Sequence, residues 1–148
     1  MAETTGLERM LCFELYTASR AITGAYRPAL DELGLTYPQF VALTVIWQRG
    51  SITVRDLGHA LHLDSGTLSP LLKRLETAGL VRRTRGTHDE RTVVIEATDA
   101  GNALRTRAAE LPERLACALG ELGITHTEAI QLHHLLSRIS TSARTITI

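Results

Sequence analysis

Two cysteines and three tyrosines are the residues whose types and spacing best suit redox chemistry. Cys12 falls in the second turn of the first predicted helix, and Tyr16 follows four residues later on the same helical face. Tyr26 lies further along that helix, and Tyr37 opens the next one. A thiol becomes reactive where hydrogen-bond donors favour its thiolate, and tyrosine hydroxyls are such donors. The same spacing also fits an unreactive cysteine buried among core aromatics, so both interpretations stay open at this point.

A second set of residues is suited to contact with double-stranded DNA. Its members are small or hydroxyl-bearing and open a predicted helix: Ser65, Gly66, Thr67, Ser69 and Pro70. Helix-turn-helix proteins read base edges in the major groove with the N-terminal residues of their second helix. Small side chains allow close approach, while hydroxyls and free first-turn N–H groups can bind bases or phosphates. Lys73 and Arg74 follow about one turn later and can also reach bases or backbone.

A predicted hairpin carries charged residues around its tip, namely Arg85, Asp89 and Arg91. An arginine at such a tip can enter the minor groove, and Asp89 can hold its guanidinium in place. Each of these residues taken alone fits a solvated surface equally well. The ordered combination of short helix, turn, second helix and hairpin is much more specific for duplex binding.

The basic charge of the chain is concentrated around these residues. The whole sequence has 16 Lys+Arg and 16 Asp+Glu, but residues 65–91 contain six basic and only three acidic side chains. All six aromatic residues lie within the first 47 positions, outside this basic segment. Proteins that bind single-stranded nucleic acid stack its bases on aromatic rings, so the pattern argues against that class and leaves duplex DNA as the predicted partner.

A length of 148 residues predicts one domain that buries its core without a disulfide or a metal. No apolar run approaches the roughly 18 residues that span a bilayer. Residues 1–6 lack the basic and apolar regions of a secretory signal. We therefore expect a cytoplasmic chain with reduced cysteines and no membrane association.

Capping residues and apolar periodicity predict a mainly α fold with one small β-hairpin. The predicted helices cover residues 5–31, 36–50, 53–61, 65–78, 98–119 and 125–141, and the hairpin strands cover residues 80–85 and 91–96. Capping-box spacing marks the start of the first helix at Thr5 and Glu8, and of the second at Thr36 and Gln39. Pro70 lies inside the fourth helix, where we expect a local distortion rather than a break.

The predicted order of elements forms a winged helix-turn-helix over residues 36–97. The segments LLKRLETAGLV (71–81), DER (89–91) and ATDAG (97–101) resemble the MarR family of transcriptional regulators. The resemblance covers nearly the whole chain. It implies an obligate homodimer that binds pseudo-palindromic double-stranded DNA, with residues 1–34 and 98–148 forming the dimerisation helices.

Within that family, the segments LCFELY (11–16), YRP (26–28), GLTYPQ (34–39) and LDSGTLSPL (63–71) are similar to the OhrR branch of organic hydroperoxide-sensing repressors. The resemblance implies that Cys12 is the peroxidatic cysteine and that Tyr26 and Tyr37 bind its thiolate. It also implies that Tyr16 is a further pocket tyrosine and that an organic hydroperoxide is the inducer. Cys117 matches the second cysteine of two-cysteine members, which forms a disulfide with the partner subunit. A small buried residue is the alternative interpretation of Cys117.

Other functions also fit parts of the sequence. One is a MarR-type repressor that binds a small aromatic ligand non-covalently near the same tyrosines, and another is a thiol peroxidase enzyme. The sequence lacks a nucleophile elbow, a Gly-rich phosphate loop and an HExxH motif, so we predict a regulator without a cofactor rather than an enzyme. The histidine pairs are His59/His62 and His133/His134. Adjacent helical residues point about 100° apart and no acid-rich ligand set accompanies them, so no metal site is predicted.

Overall fold

The computed structural model describes residues 6, 10–87, 89, 91–142 and 145. Its helices are α1 (Leu11–Leu33), α2 (Tyr37–Arg49), α3 (Val54–Leu61), α4 (Ser65–Thr77), α5 (Asp99–Ala103), α6 (Arg105–Ala109), α7 (Leu111–Glu121) and α8 (His126–Ser142). Its strands are β1 (Ser51–Thr53), β2 (Val81–Arg85) and β3 (Val93–Ala97). The mainly helical content with a small antiparallel sheet confirms the predicted fold class.

The chain divides into two compact units, Met1–Leu111 and Pro112–Ile148. In the first unit, leucine and isoleucine side chains from α2, α3, α4 and β3 form the core. Those that are almost inaccessible to solvent are Leu43, Ile46, Leu57, Leu68, Leu72, Leu75 and Ile95. Each such side chain contributes about 1.5–3 kcal/mol by leaving water. The apolar face of α4 therefore holds this helix on the core and leaves its other face outward.

The sheet contains one strand more than the sequence indicates. The predicted hairpin is found as β2 and β3, and β1 pairs with the other edge of β3 in the order β1–β3–β2. Ile52 in β1 lies opposite Ile95 in β3, and both are buried. Because β1 has only three residues and α3 follows it directly, it is shorter than the run of four to eight residues by which a strand is recognised in a sequence.

Capping residues end or begin several helices where they were predicted to do so. Gly34 ends α1 in the left-handed conformation with φ 67°. At the start of α2, the Thr36 hydroxyl accepts from the Gln39 N–H, and the Gln39 side chain accepts from the Thr36 N–H at 2.8 Å. These contacts confirm the second capping box. The first predicted box, at Thr5 and Glu8, lies outside the described residues, but the predicted helix start there is wrong, because Met10 is the extended N-cap and α1 begins at Leu11.

The fourth predicted helix is confirmed as α4, and it is unbroken at Pro70. The single helix predicted over residues 98–119 is wrong, because the structure divides this segment at Leu104 and Glu110 into α5, α6 and α7. At the first division the Leu104 N–H bonds the Gly101 carbonyl at 3.2 Å, a tighter pattern than that of an α-helix. At the second, Pro112 has no N–H to bond the carbonyl of Ala108.

The second unit contains α7 from Pro112 onward and α8. The turn between them contains Gly123 with φ 83°. Thr125 and Glu128 bond one another at the start of α8, as predicted from their spacing. No residue of α8 is buried, so its apolar side chains face solvent in the single chain. Among the described helices, none is both long enough and apolar enough to cross a membrane.

Candidate DNA interface and thiol site

The turn between α3 and α4 is held by local contacts of its own residues. His62 adopts a left-handed conformation with φ 54°, and the Leu63 N–H donates to the Gly58 carbonyl at 3.0 Å. A Cβ on Gly58 would lie 3.1 Å from the Leu63 carbonyl oxygen, so only a residue without a side chain fits this close approach easily. The result is a compact helix-turn-helix that presents the N-terminus of α4.

Asp64 caps α4 and changes the electrostatics of its first turn. Its Oδ1 accepts from the Thr67 N–H at 2.8 Å. This bond to the Thr67 backbone and side chain lowers the pKa of Asp64 below its ordinary value. The carboxylate therefore satisfies the Thr67 N–H and adds a negative charge at the helix start. The expectation that free first-turn N–H groups bind phosphate is wrong for Thr67, because Asp64 already occupies that donor.

The outward face of α4 contains every residue that was predicted on it to contact DNA. The exposed residues are Ser65, Gly66, Thr67, Ser69, Pro70, Lys73 and Arg74. Pro70, Lys73 and Arg74 also line a surface groove of about 440 Å³ together with the end of the helix. None of these side chains is used in the core, so the whole face is free to contact a ligand.

The basic residues of the hairpin divide into paired and outward-facing ones. Arg82 Nε lies 2.6 Å from Glu96 Oε1, and Arg83 Nε lies 3.2 Å from Glu76 Oε2. The first pair joins β2 to β3, and the second joins β2 to α4. Arg85 is exposed at the end of β2. The six basic residues counted from the sequence therefore overstate the charge available to DNA, because two of them neutralise carboxylates of the same chain.

The tip of the hairpin is shaped by Asp89. Its Oδ1 accepts from the backbone N–H of Arg91 at 2.9 Å, and its carbonyl accepts from the Thr92 N–H at 3.0 Å. The predicted contact of Asp89 with an arginine guanidinium is therefore replaced by a turn that fixes the backbone. Arg91 itself is exposed. Residues 88 and 90 of the tip lie outside the described residues.

Both cysteines are exposed in the single chain. Cys12 is the second residue of α1 and lies in its first turn, not in the second turn as predicted. Cys117 lies on α7 in the second unit. The alternative that either thiol is an ordinary buried core residue is wrong for the isolated chain. Tyr16, one turn beyond Cys12, has 60% of its surface exposed.

Tyr26 and Tyr37 belong to a different, aromatic cluster, in which Tyr26 and Phe40 are buried and Tyr37 is partly exposed. The Tyr26 and Tyr37 ring centroids are 5.3 Å apart in an edge-to-face arrangement, and Phe40 lies 5.7 Å from Tyr26. Burial, and then the nearby Tyr37, raise the pKa of Tyr26 above its ordinary value. Tyr26 follows Cys12 by fourteen positions within α1, which corresponds to about 21 Å along the helix axis. One chain therefore does not bring Tyr26 to its own Cys12.

A cavity of about 510 Å³ lies between α1 and the start of α2. Its lining includes Arg20, Arg27 and Tyr37. The Arg20 guanidinium also lies 5.6 Å from the centre of the Tyr16 ring. These arginines were missed among the candidate residues. The spacing of Arg20, four residues after Tyr16 on one helical face, was the signal that could have revealed it.

Metal-binding geometry does not occur among the described residues, where no three His, Cys, Asp or Glu side chains gather around one point. The rings of His133 and His134 are 6.0 Å apart and nearly perpendicular. Successive residues of a helix point in different directions, and the two side chains do not converge as ligands do.

Comparison with known proteins places these features among transcriptional regulators. The family model "Transcriptional regulator SarA/Rot" matches residues 25–107. The organic hydroperoxide resistance transcriptional regulator of Bacillus subtilis (strain 168) is 41% identical over 140 residues, which cover 95% of this chain and 91% of that protein. A mutant MarR from E. coli complexed with operator DNA has a TM-score of 0.79 at 26% identity, covering 87% of this chain and 92% of the other. Reduced AbfR bound to DNA has a TM-score of 0.76 at 30% identity, covering 91% and 90%.

Proposed function

Because the chain belongs to the MarR family of transcriptional regulators, we propose that it is a homodimeric DNA-binding repressor that releases its operator when an organic hydroperoxide oxidises Cys12. The observation that carries this proposal is the 41% identity, over 95% of the chain, to an organic hydroperoxide resistance transcriptional regulator. The exposed thiol of Cys12 at the start of α1 supports it. The family is one of regulators, in agreement with the prediction that the chain is not an enzyme.

The DNA-binding region of the proposed repressor is the winged helix-turn-helix over residues 36–97. A dimer places its two α4 helices in successive major grooves, about 34 Å apart. The small residues at the start of α4 approach the bases, while Lys73 and Arg74 contact bases or phosphates. Arg85 and Arg91, exposed on the hairpin, reach the flanking minor groove.

A second copy of the chain is supported by apolar side chains that the single chain leaves in water. At the start of α1 and on α8 they are Met10, Leu11, Phe13, Ile130, Leu132, Leu135, Leu136 and Ile139, each at least 36% exposed. So many large apolar groups on two helices are characteristic of an interaction surface. Residues 1–34 and 98–148 accordingly form the dimerisation helices.

The sensing pocket in this proposal combines residues of two subunits. Cys12 and Tyr26 are separated by about 21 Å along one helix, so the hydroxyls that meet Cys12 come from Tyr26 and Tyr37 of the partner subunit. Tyr16, one turn from Cys12, completes the pocket. Hydrogen bonds from neutral hydroxyls to a thiolate stabilise the reactive form without adding a charge.

The reaction consumes one hydroperoxide for each Cys12. The Cys12 thiolate attacks the terminal oxygen of the hydroperoxide, the S–O bond forms, and the O–O bond breaks. The sulfur is oxidised to sulfenic acid, and the leaving alkoxide takes a proton to become an alcohol. The thiol of Cys117 of the partner subunit then attacks the sulfenic sulfur, which forms a disulfide and releases water. Formation of this bond displaces the dimerisation helices and separates the two α4 helices from their grooves.

The experiment that tests the function measures DNA binding before and after oxidation. A duplex is selected in vitro from a random pool by the reduced protein, and binding is followed by fluorescence anisotropy. One equivalent of cumene hydroperoxide per subunit is expected to release the duplex while mass spectrometry detects oxidised Cys12. Retention of the duplex by protein with fully oxidised Cys12 contradicts the proposal.

The role of Cys117 is tested in the same samples. Oxidised wild-type protein is expected to run as a disulfide-linked dimer on a non-reducing gel. The Cys117→Ser protein should form sulfenic acid at Cys12 but no crosslink, and it should release DNA less completely. An identical response from both proteins assigns the chain to the one-cysteine sensors.

The cavity lined by Arg20, Arg27 and Tyr37 supports a second candidate function. Its volume of about 510 Å³ is that of a small-molecule site, and its two arginines, which outnumber the one lining acid, Asp31, suit the carboxylate of an aromatic acid. A repressor of this kind releases DNA on addition of an aromatic acid such as salicylate, with or without Cys12. The Cys12→Ser protein therefore separates the two functions.

A further inference from the structure

Three parts of the chain meet at Thr98: the end of β3, residues 79–80 after α4, and the first turn of α5. This residue follows β3 and caps α5. Its N–H donates to the Leu80 carbonyl at 3.0 Å, and its hydroxyl donates to the Gly79 carbonyl. The same hydroxyl oxygen accepts from the Gly101 N–H at 3.1 Å. One side chain thus joins the segment that leaves α4 to the first turn of α5.

Gly101 brings the two segments into direct backbone contact. It is buried, and a Cβ placed on it would overlap the carbonyl oxygen of Leu80. Gly120, by contrast, has no atom within 4 Å of such a Cβ. Because the neighbour of Gly101 is backbone, no side-chain rotation can relieve the contact. The packing of α5 on residues 79–80 therefore has little freedom to slide.

The segment that holds α5 is itself bonded to the last turn of α4. The Gly79 N–H donates to the Glu76 carbonyl at 2.9 Å, and the Leu80 N–H donates to the Leu75 carbonyl at 3.0 Å. Leu75 is fully buried on the core side of α4. Hydrogen bonds thus run without interruption from α4 through residues 79–80 to Thr98 and α5.

We propose that Thr98 and Gly101 are positioning residues that couple α4 to α5, so that binding of duplex DNA at α4 and the placement of α5 depend on each other. The inference rests on the proposed DNA binding but not on peroxide sensing. The chain continues from α5 through α6 into α7, which carries Cys117. The contacts of Thr98 and Gly101 therefore lie on the covalent route between α4 and Cys117. Coupling between two sites is reciprocal in free energy, and it can therefore be measured from the DNA side alone.

Amide hydrogen exchange with and without DNA tests the coupling. The probe is the duplex selected in vitro by the reduced wild-type protein, and the amides followed are those of Asn102, Leu104 and Ala108. Saturating DNA is expected to slow their exchange about fivefold or more in wild type. In the Thr98→Val protein, which keeps the shape but lacks the hydroxyl, this slowing should disappear while DNA still protects α4. The Thr98→Ser protein should restore it.

Thr53→Val is the matched control for loss of a helix cap. The Thr53 hydroxyl, at the end of β1, caps α3 and bonds Asp56 of that helix, so this protein should keep the wild-type response of α5. Coupling through Thr98 is overturned if DNA does not slow amide exchange in α5 of the wild-type protein. It is also overturned if Thr98→Val keeps the full slowing, or if Thr53→Val loses it to the same extent. A wild-type protein that selects no duplex overturns the proposed function as well, whereas one that binds a duplex without any change at α5 overturns the coupling alone.

Discussion

The outward face of α4 is supported by a buried core, whereas the start of α1, which carries Cys12, and the whole of α8 leave large apolar side chains exposed. Behind α4, Leu68, Leu72 and Leu75 are almost fully buried. Around Cys12 and along α8, large apolar side chains are exposed. A single chain therefore builds the DNA-facing surface, but the proposed sensing pocket needs a second copy. We therefore expect substitutions in these two regions to have different effects on DNA binding, stability and oxidation.

Cys12→Ser is expected to have the largest functional effect. Serine fills nearly the same space, but it forms no thiolate at neutral pH and cannot be oxidised like a thiol. DNA binding should be unchanged, and release on addition of cumene hydroperoxide should be abolished, as measured by anisotropy. Release by the serine protein at the wild-type hydroperoxide concentration would remove Cys12 from the mechanism.

Leu72→Ala and Leu135→Ala compare the buried core behind α4 with the exposed apolar side chains of α8. Leu72 is fully buried in α4, so its truncation should lower the free energy of unfolding by about 2–5 kcal/mol. Leu135 is 54% exposed on α8, and its truncation should act mainly through dimerisation. Unfolding of an obligate dimer includes its dissociation, so sedimentation at a series of protein concentrations separates the two effects: Leu135→Ala should dissociate at higher concentration than wild type, and Leu72→Ala should remain dimeric. A Leu135→Ala protein that is as dimeric as wild type at every concentration contradicts the assignment of α8 to the dimer.

Tyr26→Phe and Tyr37→Phe test whether the hydroxyls of the aromatic cluster bind the exposed Cys12 thiol. Each change deletes one hydroxyl and keeps the ring in contact with its aromatic neighbours. A hydrogen bond to a charged group contributes about 1.5–3 kcal/mol, so oxidation of Cys12 should slow about tenfold to a hundredfold. Stopped-flow measurement of the oxidation rate gives the result, and an unchanged thermal midpoint serves as the control. Wild-type rates in both proteins would mean that these tyrosines only support the fold.

Lys73→Ala and Arg82→Ala compare an outward-facing cation with a paired one. If Lys73 contacts a phosphate, the negative slope of log affinity against log salt should decrease in magnitude by about 0.9 for each subunit. Arg82 is paired with Glu96 at 2.6 Å, so its replacement should leave the slope nearly unchanged. Equal slopes for Lys73→Ala and wild type would place the lysine outside the interface.

Arg91→Ala provides the corresponding test of the hairpin. It should weaken DNA binding while leaving the dimer intact, because the exposed side chain is the proposed minor-groove contact. Sedimentation and anisotropy on the same sample report the two properties. Full-strength binding by this protein removes the hairpin arginine from the DNA interface.

Asp64→Asn is expected to have the smallest effect, and the effect depends on pH. The pKa of Asp64 is lowered in the folded chain by its bond to Thr67, so its charge contributes stability above the ordinary pKa of 3.8. This contribution is lost as the pH falls through the lower folded-state pKa. The wild-type protein should be slightly more stable than Asp64→Asn at pH 7, and the difference should vanish at low pH. Denaturant unfolding at both pH values provides the measurement.

Local sequence signals predicted most of the helices and the outward residues of α4. Thr36 with Gln39 and Thr125 with Glu128 satisfy backbone groups within four residues, so their spacing alone reveals the helix starts. The alternation of leucines with polar residues in α4 likewise separates the buried face from the exposed one. Signals of this kind need no knowledge of the rest of the chain.

Capping spacing and periodicity do not reveal contacts between residues that are distant in the sequence. The pairing of β1 with β3, and of Arg82 with Glu96, joins positions whose relation exists only after the chain has folded. The close approach of Gly101 to Leu80 is of the same kind. The sequence identifies Gly101 only as part of a helix start. A residue without a side chain is needed there because a Cβ would overlap the carbonyl oxygen of Leu80, twenty-one residues earlier.

The sequence by itself determined the mainly helical class, the winged helix-turn-helix and the chemistry of a thiol accompanied by tyrosines, because these depend on residue type and short-range periodicity. Only the tertiary structure decided which charges remain available to DNA and which are neutralised within the chain. It also showed that both thiols are exposed in the single chain, whereas the separation of Cys12 and Tyr26 by about 21 Å follows already from the one helix that the sequence predicts for both. A rigid helix converts a separation in sequence into a distance in space, and that distance is why the proposed sensor requires two chains.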